Sequence, residues 1–143
     1  MLFKRISRAS PETGFVVVKN VSGSTITAGY SAVFDVSASV DGVRVTQASA
    51  TDLQAFAGVA DSDIANNAYG LAQVYGYRAS VYVYSSTGSS AAGDNLATVA
   101  DEWGLTPGAT GATAKAFGFL CAAVAGSSSS RYHTTAAAFI RAL

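Results

Sequence analysis

The residues that could carry out catalysis are few in this chain of 143 amino acids. Hydrolysis by a serine nucleophile needs a histidine that accepts the hydroxyl proton and a carboxylate that orients this histidine. The only histidine is His133, which stands in a polar segment, and the chain has no Gly-x-Ser-x-Gly sequence to place a serine on a sharp turn. We therefore predict that His133 is an exposed loop residue and that the protein is not an enzyme.

Metal ligands are equally scarce. One cysteine and one histidine cannot fill the four positions of a structural zinc site, and Cys121 stands in an apolar run that favours a buried, inert thiol. Asp61 and Asp63 resemble the start of a calcium-binding loop. Such a loop, however, needs an oxygen ligand and a bidentate glutamate where Ala65 and Ala72 stand. The spacing favours a solvated turn, and we predict neither a metal nor a cofactor.

Two further patterns match known sites only in part. Gly88 and Gly93 have the spacing of a phosphate-binding loop, but Asp94 follows where that loop has a lysine, and its charge would repel phosphate. Asn20 and Ser22 match the N-glycosylation pattern. Because the polar sequence after the first basic residues excludes a signal peptide, we interpret this match as a coincidence.

Charged residues make up 13% of the chain, against about 25% in an average protein, and the formal net charge is zero. Proteins that bind nucleic acid need a basic face that displaces phosphate counterions, so this composition argues against them. No apolar run is long enough for a transmembrane helix, which argues against a membrane partner. A surface with so little charge tends to associate, and it indicates a protein that works within an assembly.

Tyrosines are concentrated in the middle of the chain, where they could form a stacking platform for bases or sugars. Arg78 is the only basic residue among them. Tyrosine also suits a half-buried sheet face or a protein interface, since its ring is apolar and its hydroxyl is polar. The lack of interleaved charge favours the sheet face or the interface for these residues: Tyr69, Tyr75, Tyr77, Tyr82 and Tyr84.

The strongest strand signals lie in residues 53–84. Apolar runs at 56–60, 69–77 and 81–84 are separated by connections too short for a helix, which predicts an antiparallel meander. The alternation within the second run predicts that four side chains share one face of the sheet: Leu71, Gln73, Tyr75 and Tyr77.

The remaining segments also favour strands. Asp41 and Gly42 predict a hairpin turn between strands at 36–40 and 43–46. We predict closing strands within 115–125 and 135–143, with helix as the alternative because both segments are rich in alanine. Further strands are predicted at 15–19, 30–36 and 96–99, and the long loop 101–114, which contains Trp103, is expected to lie against other structure.

The chain length corresponds to one domain, which we place at residues 15–143. Residues 1–14 precede it as an arm with apolar and basic side chains, and its proline, threonine and glycine discourage regular structure. The arm either docks on a partner or is a solvated terminus. Its candidate interaction residues are Leu2, Phe3, Lys4, Arg5, Ile6 and Arg8.

Several strand-and-turn blocks follow one another in a characteristic order: TAGYSAVFD (27–35), FAGVA (56–60), IANNAYG (64–70), QVYGY (73–77), AGDNL (92–96) and FIRAL (139–143). Each block is a common sequence by itself, so the order is the specific feature. In this order the chain resembles the small capsid decoration, or cement, proteins of tailed bacteriophages. The blocks extend over most of the chain.

This resemblance implies a mainly β fold, an antiparallel barrel or sandwich of the β-tulip type with little helix and long loops. It also implies a homotrimer without enzymatic activity. Such a protein is made in the host cytoplasm and binds the major capsid protein on the outer surface of the virion. Together with the arm, the aromatic residues Tyr75, Tyr77 and Trp103 are the candidates for protein contact. The alternatives are another virion component, from the tail, neck, fibre or shell, and a carbohydrate-binding module that uses the tyrosines.

Overall fold

The computed structural model describes residues 12–37, 41–85, 88–108, 116–125 and 132–142. Within these ranges the regular structure is entirely β, and no helix is long and apolar enough to span a lipid bilayer. The nine strands are β1 (Gly14–Asn20), β2 (Ser31–Phe34), β3 (Arg44–Thr46), β4 (Phe56–Ala60), β5 (Tyr69–Ser85), β6 (Asn95–Ala97), β7 (Thr106–Pro107), β8 (Gly118–Leu120) and β9 (Tyr132–Arg141).

The strands form one sheet in the order β1-β3-β2-β4-β5-β9-β8-β6-β7, and β1 also pairs with β5. The first five strands therefore close into a ring, here called the first ring. Beyond β5, the residue before β7, Leu105, forms a parallel bridge with Val83 of β5. This bridge closes the second ring, which contains the C-terminal part of β5 and β6 to β9. The predicted mainly β fold is confirmed, although two rings that share β5 replace a single regular barrel.

The two rings repeat the same backbone pattern. Ile26 and Ile64 exchange two backbone hydrogen bonds of 3.0 and 2.9 Å across the first ring. Ser90 and Val124 exchange two of 2.9 Å across the second. Each ring also contains one parallel pairing, which joins its first and third strands in chain order, and equivalent residue contacts occur in the two pairings. These contacts are Asn20 with Val45 and Val83 with Leu105.

Further hydrogen bonds fix which residues correspond. The amide of Gly29 donates to the carbonyl of Ala60 at 2.9 Å, and the amide of Gly93 donates to the carbonyl of Leu120 at 2.8 Å. The pairing of Ala60 with Ala72 then matches that of Leu120 with Ala138. One strand-turn unit is thus present twice in the chain.

The two cores use corresponding positions with side chains of different size. The first core is rich in alanine, and Tyr30, Phe34 and Trp103 pack against it. At four of the seven matching positions the second core has the larger residue, at two the residues are identical, and at one the first core has the larger residue. The pairs are Val18 and Val81, Ala32 and Leu96, Val45 and Leu105, Ala57 and Phe117, Ala60 and Leu120, Ile64 and Val124, and Ala72 and Ala138.

Strand β4 lies between the cores, and all five of its residues are buried. Ala57 and Ala60 face the first core, whereas Phe56 and Val59 enter the second. Strict alternation would not give this arrangement. The extra residue is accommodated at Gly58, where φ is 138° and the register with β2 shifts, as in a β-bulge.

The predicted strand 56–60 is confirmed. The runs predicted as two strands at 69–77 and 81–84 are instead one strand of 17 residues, because a bulge replaces the expected turn. The predicted strand at 36–40 is wrong at residues 36–37, which follow β2, and residues 38–40 lie outside the described ranges. Of the closing strands, 115–125 is reduced to β8, and the last is β9.

Substitution of Gly58 tests how closely the backbone of β4 approaches that of its neighbour β5. A Cβ at Gly58 would lie 2.7 Å from the carbonyl oxygen of Gln73, and its φ disfavours any other residue. Gly58→Ala should therefore lower the free energy of unfolding by about 3 kcal/mol or more. Gly23→Ala is the control, because Gly23 also has positive φ but has open space around it, and the cost there is about 1 kcal/mol. If chemical denaturation gave equal losses of unfolding free energy for the two variants, a clash between a Cβ at Gly58 and the carbonyl oxygen of Gln73 would be contradicted.

Candidate protein-interaction surface

An aromatic surface lies where β5, β9 and β8 are adjacent. We call it the Tyr75 surface and define it by Tyr75, Tyr77, Phe119 and Phe139. Tyr75 and Tyr77 are 37% and 45% exposed. The ring of Phe139 meets that of Tyr75 edge-on at 5.2 Å and stacks on that of Phe119 at 5.4 Å. Because these contacts already orient the rings, little side-chain freedom is left to lose when a partner binds.

Gln73 fixes the backbone beneath this surface. Its side chain is buried, with 2% exposure, and its amide nitrogen lies 3.1, 3.1 and 3.2 Å from the carbonyl oxygens of Tyr75, Gly76 and Tyr77. Gly76 has a φ of 103°, so the strand bends at this point. The sequence predicts Gln73 on one face with Leu71, Tyr75 and Tyr77, but of these four residues Gln73 alone is buried, since the bend turns its amide toward the backbone.

Arg78 holds the next part of β5. Its guanidinium donates to the carboxylate of Asp61 at 3.0 Å and to the carbonyl of Ala60 at 2.9 Å. Its Nε donates to the carbonyl of Ser80 at 3.1 Å, within the bulge that allows β5 to continue into the second ring. With only 14% of its side chain exposed, Arg78 serves the fold and does not offer a free cation to a nucleic acid.

Trp103 belongs to a separate row of stacked aromatic side chains, which connects the first ring of strands to the second. It is half-buried, its ring stacks on Tyr30 at 5.7 Å, and the ring of Tyr30 lies 4.7 Å from that of Tyr82. Tyr82 in turn stacks on His133 at 5.5 Å. Trp103 thus lies apart from the Tyr75 surface, and its predicted contact with a partner stays a prediction.

His133 lies in β9, so its predicted position in a loop is wrong, although the side chain is exposed as predicted. Its Nδ1 lies 4.0 Å from a carboxylate oxygen of Glu102, and its ring packs against the rings of Tyr82 and Tyr84. Burial raises the pKa of Tyr82, and the neighbouring Tyr30 and Glu102 act in the same direction. Tyr82 is therefore neutral at physiological pH, which leaves it unsuited to act as a base.

The carboxylates of the predicted turn have structural partners. Asp63 accepts the amide of Ala28 at 2.8 Å, and Asp61 pairs with Arg78. Among the described residues, no group of three or more His, Cys, Asp or Glu side chains could hold a metal ion. Cys121 is exposed in the turn after β8, which corrects the prediction of a buried thiol.

Asn20 of the glycosylation pattern is fully buried. Its amide nitrogen donates to the carbonyls of Ser24 and Ile64, both at 2.7 Å, so it connects the turns at the end of the first ring. An oligosaccharide cannot be attached to this nitrogen in the folded protein. This burial agrees with the interpretation of the glycosylation pattern at Asn20 and Ser22 as a coincidence.

The arm residues Leu2, Phe3, Lys4, Arg5, Ile6 and Arg8 lie outside the described ranges. The described chain begins at Glu12, whose carbonyl oxygen lies against Gly76. Two residues later, Gly14 pairs with Tyr75, and Arg141 pairs with the same tyrosine from β9. Both ends of the described chain are therefore adjacent to the Tyr75 surface.

The solved structures include a similar chain, the N base of the head fiber gp8.5 of bacteriophage phi29. The two chains are 14% identical, and the alignment covers 88% of this chain and 93% of that chain with a TM-score of 0.46. At this TM-score the likeness does not define a shared fold. No family model matches the chain, and no curated protein matches it.

Removal of the Gln73 amide tests how the Tyr75 surface is held. Gln73→Met keeps the approximate shape but leaves three carbonyl oxygens without their donor. We expect a loss of about 2–3 kcal/mol in the free energy of unfolding. Thermal unfolding should show a decrease of roughly 5–10 °C in Tm. Gln54→Met, at an exposed position, is the matched control and should leave Tm unchanged. Equal Tm values for both variants would show that the amide does not hold the bend.

Proposed function

We propose that this protein is a structural virion protein that binds the outer surface of a tailed-phage capsid and stabilises the mature shell. The observation that carries the proposal is the Tyr75 surface, a preoriented aromatic area on an all-β body. It is supported by the order of sequence blocks that resembles the decoration proteins. The major capsid protein is the proposed partner, and the protein is proposed to act as a homo-oligomer, a trimer in the simplest case.

The aromatic composition suits a protein partner. Interfaces are enriched in tyrosine and phenylalanine and depleted in charge at their centre. Tyr75 and Tyr77 provide large apolar rings with polar tips, and Phe139 supports the ring of Tyr75 from the side. The neighbouring Arg141 is exposed and can extend the contact with a polar rim.

Stabilisation of a shell requires no bond chemistry. A protein that binds the mature shell and not its precursor lowers the free energy of the mature state by its binding free energy at every occupied site. A standard interface buries about 800 Å² on each partner. If the protein binds as an oligomer, each further contact is intramolecular, so that weak single contacts give high total affinity.

A carbohydrate-binding module is the second candidate, and the exposure of Tyr75 and Tyr77 favours it. Sugars stack on exposed aromatic rings, and these two rings are accessible. The two candidates differ in their ligand and not in the surface that binds it. One pair of variants therefore tests both.

Tyr75→Ala combined with Tyr77→Ala should weaken binding to purified shells of the cognate phage by about 1,000-fold, because aromatic residues at the centre of an interface contribute about 2 kcal/mol or more each. Co-sedimentation with shells measures this loss, and shells carrying the wild-type protein should resist higher temperatures than bare shells. Val36→Ala is the matched control, since Val36 is 45% exposed and lies after β2, away from this surface.

Binding of the wild-type protein to a glycan array, with no binding to shells, would favour the carbohydrate module. Wild-type protein that binds neither would contradict both candidates. Electron cryo-microscopy of the native particle tests the location: density on the capsid exterior supports the proposal. Density at the tail, neck or a fibre would replace decoration with another virion role.

A further inference from the structure

A second exposed apolar area lies on the outer side of the first ring, across β1 and the beginning of β5. We call it the Leu71 face and define it by Phe15, Val17, Tyr69 and Leu71, which are 42%, 59%, 67% and 43% exposed. Val17 lies directly opposite Leu71 in the antiparallel pair, and each of the two neighbouring pairs on the same side contributes one residue to the face, Phe15 from β1 and Tyr69 from β5. The buried Gln73 separates this face from Tyr75 along β5.

The exposed area is comparable with the largest apolar patch of a typical monomer, and such patches are often functional. With ~200 Å² for a large side chain, the four residues expose on the order of 400 Å² of mostly apolar surface. One side of a standard interface buries about 800 Å², of which roughly 55–65% is apolar. The Leu71 face therefore provides most of the apolar area that one stable protein contact needs.

The repeated unit supplies an internal comparison. The pairing of Lys19 with Tyr69 corresponds to that of Tyr82 with Thr135 in the second ring. One pair further along, Leu71 corresponds to Ala137, and the counterpart of Val17 falls in the bulge at residues 79–80.

The counterpart of Phe15 is Tyr77, which is also large and exposed. The other three outer positions of the second ring carry alanine, serine and threonine, and Ser80 and Thr135 are exposed like their counterparts. The same backbone is formed without large apolar side chains at these positions. Folding of the unit does not require them, so their presence in the first ring needs another reason. Binding to a partner is the reason that fits large, exposed, apolar residues.

The charges beside the face fit a second copy of the same chain. The ammonium of Lys19 lies 5.7 Å from the centre of the Tyr69 ring, and a groove continues past it to Asp41 and Arg44. Asp41 accepts the backbone amides of Arg44 and Val43, both at 2.9 Å, and pairs with the Arg44 guanidinium at 3.2 Å. These contacts, the amides first, lower the pKa of Asp41. Asp41 is therefore ionised at neutral pH.

The border of the face thus presents both signs of charge, and the chain as a whole has no net charge. Two copies can approach without long-range repulsion and can place opposite charges against each other at the border. A partner with a strongly charged surface would not be attracted, because the border carries no excess of the opposite charge. Both the area and the charge therefore favour self-association.

We propose that the Leu71 face is the surface through which this chain binds a second copy of itself. The inference rests on the proposed function, in which the protein acts as an oligomer, and it assigns that contact to a surface other than the one proposed for the capsid. Oligomer formation and shell binding are measured separately, so either can fail alone.

The test replaces the face with side chains of the types found in the second ring: Val17→Ser, Tyr69→Thr and Leu71→Ala in one variant. Light scattering after size exclusion should give a multiple of 14.5 kDa for the wild type and 14.5 kDa for the variant. We expect the dissociation constant for self-association to rise at least about 100-fold. Val36→Ser, at an exposed position outside the face, should leave the mass unchanged.

Circular dichroism and Tm establish that the variant is folded. If the triple variant fails to fold, Tyr69→Thr alone, at the most exposed position, should still raise the dissociation constant by roughly 5–10-fold. A wild-type protein that is monomeric at about 100 µM would overturn the inference. So would a folded variant with the wild-type mass. A monomeric wild type that binds shells would leave the proposed capsid binding standing without the oligomer, whereas an oligomer that binds no shells would leave only the self-association.

Discussion

The path of β5 through the bend and the bulge is the constraint on which the rest of the structure depends. This strand completes the first ring and begins the second, so any change in its direction would move one core relative to the other. Two polar side chains fix it: Gln73 donates its amide to the backbone of the bend, and Arg78 connects the bulge to the end of β4. Both are largely buried, where unpaired carbonyl groups would be costly. The Tyr75 surface is built on this fixed backbone.

The repeated unit explains how one short chain forms two cores. Each ring alone would bury little apolar surface, as is usual for units of about 60 residues. Packing β4 between the rings lets the same short strand contribute to both cores. The sizes of the side chains are complementary: where the first core has alanines, Tyr30 and Trp103 cover it, whereas Phe117 and Leu120 fill the second from within.

Much of the fold could be predicted from the sequence, because alternation and turn residues are local signals. Strand β4 and both ends of β5 follow from such patterns. The continuity of β5 could not be predicted, since Arg78 and the small residues after it are typical of a turn, and the contacts of Arg78 with Ala60 and Asp61 come from another strand and its loop. The exposure of Cys121 was missed because its apolar neighbours conceal the end of β8.

For the candidate surface, the exposure of Tyr75 and Tyr77 follows the predicted alternation, whereas the burial of Gln73 depends on a bend that no local pattern indicates. The Leu71 face and the repeat escaped sequence reasoning for a related reason. The two units share hydrogen-bond geometry, but few side chains are alike: Ala57 corresponds to Phe117 and Tyr69 to Thr135. Only the backbone pairing reveals that these positions are equivalent.

The position of the chain ends has a mechanical consequence. Gly14 and Arg141 pair with the same residue, Tyr75, so the two ends of the described chain are neighbours in space. Tension applied between them would act first on the outermost hydrogen bonds of β1 and β9, one after another, and opening β9 from this end would draw Ile140 out of the second core. A load of this kind peels strands at low force, whereas pushing or shearing the body from its sides would meet the resistance of the whole sheet.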